Sequence, residues 1–369
     1  MTLKSKLVLH PRQGVEQLAA CYHGGPDYVE LETHGISPEE VLDFSSNTNP
    51  FGPPPGIREA LSKVDISRYP DSNATELRRA LATNSNVSPE SIIVGNGSTE
   101  LIRLIALAYL GQGDLAAIIE PTFGEYEAAC QVIGASVIKN VLRAEDHFQI
   151  EVPQIISLLE NHTPKILFLC NPNNPTGQYL SRKSLETILH AADSSLVVLD
   201  EAYVPFVDNA WLSIDMIERN NLIILRSMTK DFALTGLRLG YAMAQQETID
   251  ILKHVCPPWN VNGLALKAGV FALQSNDYLS QCTAQLKEAK RYLVQALSLL
   301  GYTIIPSSAN FFLMEIGDAA QFRQQLLKEK ILVRDCTSFG LPHYVRIAPR
   351  SLPECKILVE AILKQRNTN

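Results

Sequence analysis

Five short runs in this chain are apolar at nearly every position, and each ends at a polar turn: Ile92–Val94, Leu115–Ile119, Ile166–Leu169, Leu196–Leu199 and Leu222–Leu225. A strand that is apolar on both faces must be covered on both faces. Helical patterns at Thr99–Leu110, Phe123–Gly134 and Leu185–Ala192 lie between several of these runs. Alternation of that kind predicts an α/β fold around a mostly parallel central sheet, with helices on either side. In open sheets of this type, ligands bind just past the carboxyl ends of the strands. The turns that follow the five runs are therefore where chemistry is to be sought.

A length of 369 residues allows one large domain and one smaller one. The spacing predicts a large domain over residues 45–255. Residues 256–369 read as a smaller α+β domain, with residues 1–44 as an N-terminal segment packed on it. The smaller domain is expected to hold a long helix over Ala265–Leu299, strands at Tyr302–Ile305, Phe311–Glu315, Ile331–Val333 and Tyr344–Ala348, and a helix near Ala319–Lys328. A closing helix is capped by Ser351 with Glu354. Upstream, helical signals fall at Val15–Ala20 and Ala74–Ala82, Ser37-Pro-Glu-Glu40 has the form of a capping box, and Phe51–Gly56 is a stiff turn.

A formal net charge of -7 offers no basic footprint for nucleic acid or an anionic membrane surface. No apolar run is long enough to span a bilayer, and the most apolar helical stretch, Leu101–Leu110, is interrupted by Arg103. The first residues, Met-Thr-Leu-Lys-Ser-Lys, lack the apolar core of a secretory signal. Seven cysteines stand singly, without a C-x-x-C pair, which fits reduced thiols and no metal site. The expectation is a cytoplasmic protein without a resident metal.

The fifth run leads into Arg226-Ser-Met-Thr-Lys230 and on to Arg238. A lysine in such a turn can form a Schiff base with an aldehyde cofactor. Ser227, Thr229 and Arg238 carry donors for a phosphate on the same cofactor. The first run leads into Gly95-Asn-Gly-Ser-Thr-Glu100, where glycines allow close backbone approach and a helix start offers N–H groups to an anion. Asn171-Pro-Asn-Asn-Pro-Thr-Gly177 follows the third run and presents Asn174 as an amide donor. Asp200-Glu-Ala-Tyr203 follows the fourth; a carboxylate there keeps a pyridine nitrogen protonated, and Tyr203 can reach a ring hydroxyl. Pro121-Thr-Phe-Gly-Glu-Tyr126 follows the second, with Phe123 able to stack on a ring face and Tyr126 the weaker candidate. Taken singly, most of these are ordinary capped turns. Their shared position at strand ends is what unites them.

In this order the motifs resemble the fold-type I pyridoxal-phosphate enzymes, the class I/II aminotransferases, over roughly residues 23–350. The resemblance implies an aspartate-aminotransferase-like fold and pyridoxal 5'-phosphate as cofactor. It implies Lys230 as the Schiff-base lysine, Asp200 as the partner of the ring nitrogen, and Asn174 and Tyr203 as ligands of the ring oxygen. Phe123 becomes the stacking aromatic, and Gly97, Ser98, Thr99, Ser227 and Arg238 the phosphate cradle. Tyr69 matches a tyrosine that reaches the neighbouring subunit's cofactor, which implies a homodimer with shared sites. Arg346 matches the clamp on the substrate carboxylate, with Asn310 near it. Retention of Lys230, Asp200 and Arg346 together argues against a non-catalytic relative.

Within that family the motifs are similar to the branch of histidinol-phosphate aminotransferase and threonine-phosphate decarboxylase. His23-Gly-Gly25, Pro258-Trp-Asn-Val-Asn262 and the Arg346/Arg350 spacing favour the decarboxylase, with His23 and Arg350 as further substrate residues; Ser98 is closer to the aminotransferase form. The expected activity is thus decarboxylation of a small phosphorylated amino acid, with aminotransfer to a 2-oxo acid as the alternative.

Overall fold

The computed structural model describes Val15, Leu18 and residues 24–368. The helical signal at 15–20 falls largely outside these residues, and His23 lies wholly outside them.

In chain order the strands are β1 (Leu42–Asp43), β2 (Ile92–Gly95), β3 (Leu115–Glu120), β4 (Ser136–Val141), β5 (Ile166–Cys170), β6 (Leu196–Asp200), β7 (Leu222–Ser227), β8 (Gly240–Met243), β9 (Phe312–Glu315), β10 (Ile331–Leu332), β11 (Arg334–Asp335) and β12 (Tyr344–Ile347). Seven of them form one sheet in the order β2-β8-β7-β6-β5-β3-β4. The pairs from β7 through β6, β5 and β3 to β4 are parallel, while β8 runs antiparallel to both β2 and β7. The α/β expectation holds, with a mostly parallel sheet at its centre.

Strand pleating explains the unbroken apolar runs. Successive side chains point to opposite faces. Leu167 and Leu169 enter one core and Phe168 the other; Val197 and Leu199 likewise part from Val198. Each core is closed by helices: Leu101, Ile102 and Ile105 of Ser98–Tyr109 on one side, and Leu185, Ile188 and Leu189 of Arg182–Ala191 on the other.

Two expectations change, and β4 is a strand the sequence did not signal. Strand β4 reads Ser-Val-Ile-Lys-Asn-Val and lies at the sheet edge, half-buried to exposed, so it carried no apolar signal. The helix expected over Ala265–Leu299 is two helices, Gly263–Leu273 and Asn276–Leu299, broken at Gln274–Ser275. Tyr302–Ile305 is not a regular strand; it makes a single bridge, Ile304 to Met314.

Strands β11, β12 and β9 form a separate antiparallel sheet, and β1 pairs in parallel with β10. The β1 pairing carries Phe44 into a core with Phe312, Phe322, Val345 and Leu358. Arg323 grips Glu30 with both nitrogens, at 2.6 and 2.5 Å, tying the helix Tyr28–Thr33 to the helix Ala319–Lys328.

Candidate active site

At the carboxyl ends of β3, β5, β6 and β7 opens a cavity of about 790 Å³, within the range that takes a small-molecule cofactor. Its lining brings together ten of the residues singled out from the sequence. Ser98 and Thr99 come after β2, Phe123 after β3 and Asn174 after β5; Asp200 ends β6 with Tyr203 just beyond it, and Ser227 ends β7 with Lys230 just beyond it; Arg238 and Arg346 complete the set. The antiparallel β8 delivers Arg238 to the same edge because its starting end lies there.

Asp200 is 3 % exposed at the floor. Tyr126 donates to its Oδ2 at 2.8 Å and the Ala202 N–H to its Oδ1 at 3.0 Å. Burial pushes the Asp200 pKa up, while the Tyr126 bond, the Ala202 bond and the charge of Lys230 pull it back. Lys230 moves the other way. Burial, then the charges of Arg346 and Arg238, lower its pKa to about 8, against the opposing pull of Asp200. A buried lysine held among cations spends far more time as the free amine than a surface lysine does. Its turn is fixed from outside, since the Asn49 N–H donates to the Lys230 carbonyl at 2.8 Å and Asn49 Nδ2 to the Asp231 carbonyl at 3.1 Å. Asp231 itself is buried, and burial raises its pKa to about 7, opposed by the Phe232 N–H and by Arg226.

The asparagine loop divides its labour. Asn171 Oδ1 accepts the Leu180 N–H at 2.7 Å. Asn173 ties the loop to the Pro121–Thr122 turn, donating to the Pro121 carbonyl at 2.8 Å and accepting from Thr122 Oγ1 at 2.7 Å. Asn174 alone of the three lines the cavity, where its Oδ1 accepts from Arg346 Nη1. Arg346 Nη2 donates to the Ser45 carbonyl at 2.9 Å, and the guanidinium lies 5.3 Å from the Phe311 ring centre. Tyr203 meets that same ring edge-on at 5.0 Å, and its hydroxyl accepts from Asn47 Nδ2 at 3.3 Å. Burial lifts the Tyr203 pKa to about 12, so it remains a phenol that can donate.

Gly97 sits at φ 79°, and a Cβ there would lie 2.8 Å from Arg238 Nη2. Gly240, opposite Gly95 in the β2–β8 register, brings its Cα so close that a Cβ would lie 2.6 Å from the Ser98 nitrogen. These absent methyl groups let Arg238 and the first turn of the helix Ser98–Tyr109 converge on one small volume. That is a cradle for a phosphate. Ser227 and Thr229 hydroxyls, 2.7 Å apart, stand beside it on the cavity wall.

Other sequence candidates fall elsewhere. Arg350 does not line the cavity; it is held by Glu354 at 2.9 Å and donates to the carbonyl of Asp43, a lining residue, at 3.2 Å. Asn310 is buried behind the wall, donating to the Asn47 carbonyl at 3.3 Å, and lines a second cavity. Tyr69 is 78 % exposed on the outside and stacks on Trp259. Sequence reasoning missed Asn47 and Arg334, both on the main cavity lining. Arg334 is the register partner of Arg346 across β11 and β12, so two guanidinium-bearing positions stand side by side. Only the strand pairing reveals this, since the two residues lie on successive strands with the Thr337–Phe339 turn between them.

The chain matches the family described as aminotransferase class I and II over residues 39–362, and it belongs to that family. It is 34 % identical to histidinol-phosphate aminotransferase 2 of Pseudomonas aeruginosa, over 92 % of this chain and 93 % of that one. The crystal structure of the histidinol-phosphate aminotransferase from Clostridium acetobutylicum superposes with a TM-score of 0.81 at 28 % identity, covering 89 % of this chain and 100 % of that one. The L-threonine-O-3-phosphate decarboxylase from Porphyromonas gingivalis superposes with a TM-score of 0.77 at 28 % identity, covering 88 % of this chain and 99 % of that one. The chain is thus a fold-type I pyridoxal-phosphate enzyme with the fold of aspartate aminotransferases. The residues present suit that cofactor. The glycine-lined cradle would take its phosphate, Asp200 its ring nitrogen, Phe123 its ring face, and Lys230 its aldehyde carbon.

Proposed function

We propose that this enzyme is an aminotransferase that exchanges an amino group between a small phosphorylated amine and a 2-oxo acid, with histidinol phosphate as the amine. The observation that carries the phosphorylated class is the Arg334–Arg346 pair, a second cationic centre in the cavity besides Arg238. Adjacent guanidinium groups favour a phosphate or a carboxylate. The relative in Pseudomonas aeruginosa supports aminotransfer over the decarboxylation favoured by motif reading. The engagement of Arg350 with Glu354 weakens one of the features behind that preference.

When bound, the cofactor supplies an electron sink for the pair released at the substrate's α-carbon. The chain's own part is positioning and proton transfer. Asp200, with Tyr126 behind it, would keep the cofactor's ring nitrogen protonated. Lys230, low in pKa, is placed to take the proton from the substrate's α-carbon, and breaking that C–H bond instead of a bond to a carboxylate is what separates aminotransfer from loss of carbon dioxide. Arg346, clamped by Asn174 and the Ser45 carbonyl, orients the acid group of the partner substrate.

We further propose a cytoplasmic homodimer built from a large domain over 45–255 and a small one over 256–369, with Tyr69 serving the neighbour's cofactor. The exposed side chains of Ile66, Tyr69 and Trp259 support such a contact. Among the described residues no helix is long and apolar enough to cross a membrane.

The test is 2-oxoglutarate-dependent amino transfer from histidinol phosphate, run beside carbon dioxide release from threonine phosphate. Transfer without release is expected. Release without transfer would return the assignment to the decarboxylase, and neither activity would leave only the family.

A further inference from the structure

The segment Trp259-Asn-Val-Asn262 contributes nothing to the cavity lining, yet two of its side chains reach pieces of the phosphate cradle from behind. Asn260 Nδ2 donates to the Val94 carbonyl at 3.1 Å and to Glu100 Oε2 at 2.7 Å. The same Glu100 oxygen accepts the Asn96 N–H at 2.7 Å. One amide therefore ties the last turn of β2 to the acid that closes the Gly95–Gly97 turn. Asn262 Nδ2 donates to the Leu237 carbonyl at 3.3 Å, at the peptide that leads into Arg238. Arg238 stands at φ 57°, a left-handed conformation that a non-glycine residue keeps only where its surroundings fix it. Trp259 stacks on Tyr69, with ring centres 4.3 Å apart and planes 22° apart.

The cradle is made of parts from distant stretches, with Gly97, Ser98 and Thr99 on one side and Arg238 on the other. A phosphate held between them gains most when the spacing is fixed before it arrives. We propose that Asn260 and Asn262 are positioning residues, one bracing the glycine turn and the other the arginine, so that this segment sets the width of the phosphate cradle. Trp259 extends the same brace to Tyr69. The inference concerns the cofactor's phosphate and holds whichever amine the enzyme uses.

The test compares two aldehydes on the full-length chain cleared of cofactor: pyridoxal phosphate, and pyridoxal without the phosphate, each titrated by absorbance. The wild type should prefer the phosphorylated form strongly. Asn260→Ala and Asn262→Ala should each weaken pyridoxal phosphate about ten-fold, roughly the effect of one bond in a charged site, and leave pyridoxal within about two-fold. Asn262 also caps the helix Gly263–Leu273 by accepting the Ala265 N–H at 2.8 Å, so the cap is separated from the brace by a second variant. Asn262→Ser keeps a capping oxygen and loses the donor to Leu237. It should bind as poorly as Asn262→Ala if the brace is real, and like wild type if only the cap matters. Equal losses for both aldehydes, or none for either, would overturn the proposal. A wild type with no preference for the phosphorylated form would overturn the cradle and the brace together.

Discussion

Tyr126 donates its hydroxyl to Asp200 Oδ2 at 2.8 Å in the buried floor of the cavity, with its ring stacked 5.0 Å from Phe168. The aromatic is locked by packing, so its hydroxyl has one place to go. The bond favours the ionised carboxylate, against the burial that raises its pKa. Tyr126→Phe keeps the packing and deletes the bond. Asp200 should then hold its proton to higher pH. The acid limb of the kcat profile is expected to move upward in pH, and kcat to fall about ten-fold with little change in KM, as for a lost bond to a charged group. An unmoved acid limb would show that the tyrosine only fills space.

Lys230 gives the next expectation. Its lowered pKa, about 8, follows first from burial and then from Arg346 and Arg238. Only the free amine attacks an aldehyde. Because the folded-state pKa lies below the ordinary lysine value, the free amine becomes the major form once pH passes about 8 instead of above 10. Capture of pyridoxal phosphate by the cofactor-free chain should therefore quicken up to about pH 8 and level off beyond. Borohydride should fix the cofactor to the peptide holding Lys230. Lys230→Ala should keep the cofactor without a covalent bond and lose turnover. A label on another lysine would refute the assignment.

Much of this was legible in the sequence because strand ends are punctuated. Lys230, Asp200 and Asn174 each come just after an apolar run, and the parallel sheet brings those ends to one edge. What stayed hidden depends on how elements pair. Arg334 becomes a site residue only because β11 lies antiparallel to β12, placing it opposite Arg346. Asn47 reaches Tyr203 from a segment that reads as a loop. Arg350 shows the converse: its spacing from Arg346 invited a role, but Glu354, four residues on in a helical turn, takes up its guanidinium.

The arginine pair can be tested through the phosphate itself. Arg334 donates to Ser338 Oγ at 2.7 Å, lies 5.4 Å from the Phe339 ring centre, and lines the cavity. Burial, and then the charge of Arg346, lower its pKa from the guanidinium value, the mark of two like charges held close. An anion between them relieves that repulsion. Arg334→Gln should raise KM for histidinol phosphate about ten- to a hundred-fold, the range of a charge-assisted bond. Turnover of unphosphorylated histidinol, poor from the start, should change little. A variant that loses both substrates equally would place Arg334 in the scaffold and not at the phosphate.

Tyr69 offers the sharpest test of shared sites. Its side chain is 78 % exposed and turned outward against Trp259, away from the cavity of its own chain. If it completes the neighbour's site, each active centre draws Lys230 from one chain and Tyr69 from the other. Tyr69→Ala alone should bind cofactor weakly and react slowly. Lys230→Ala alone should be inactive. Unfolded together and refolded as a mixture, the two variants form hybrids in which one site carries both defects and the other carries neither. With random pairing, about a quarter of all sites are then intact, and activity should recover to about that fraction of wild type. A mixture no more active than the average of its parents would mean that Tyr69 serves no neighbour's site.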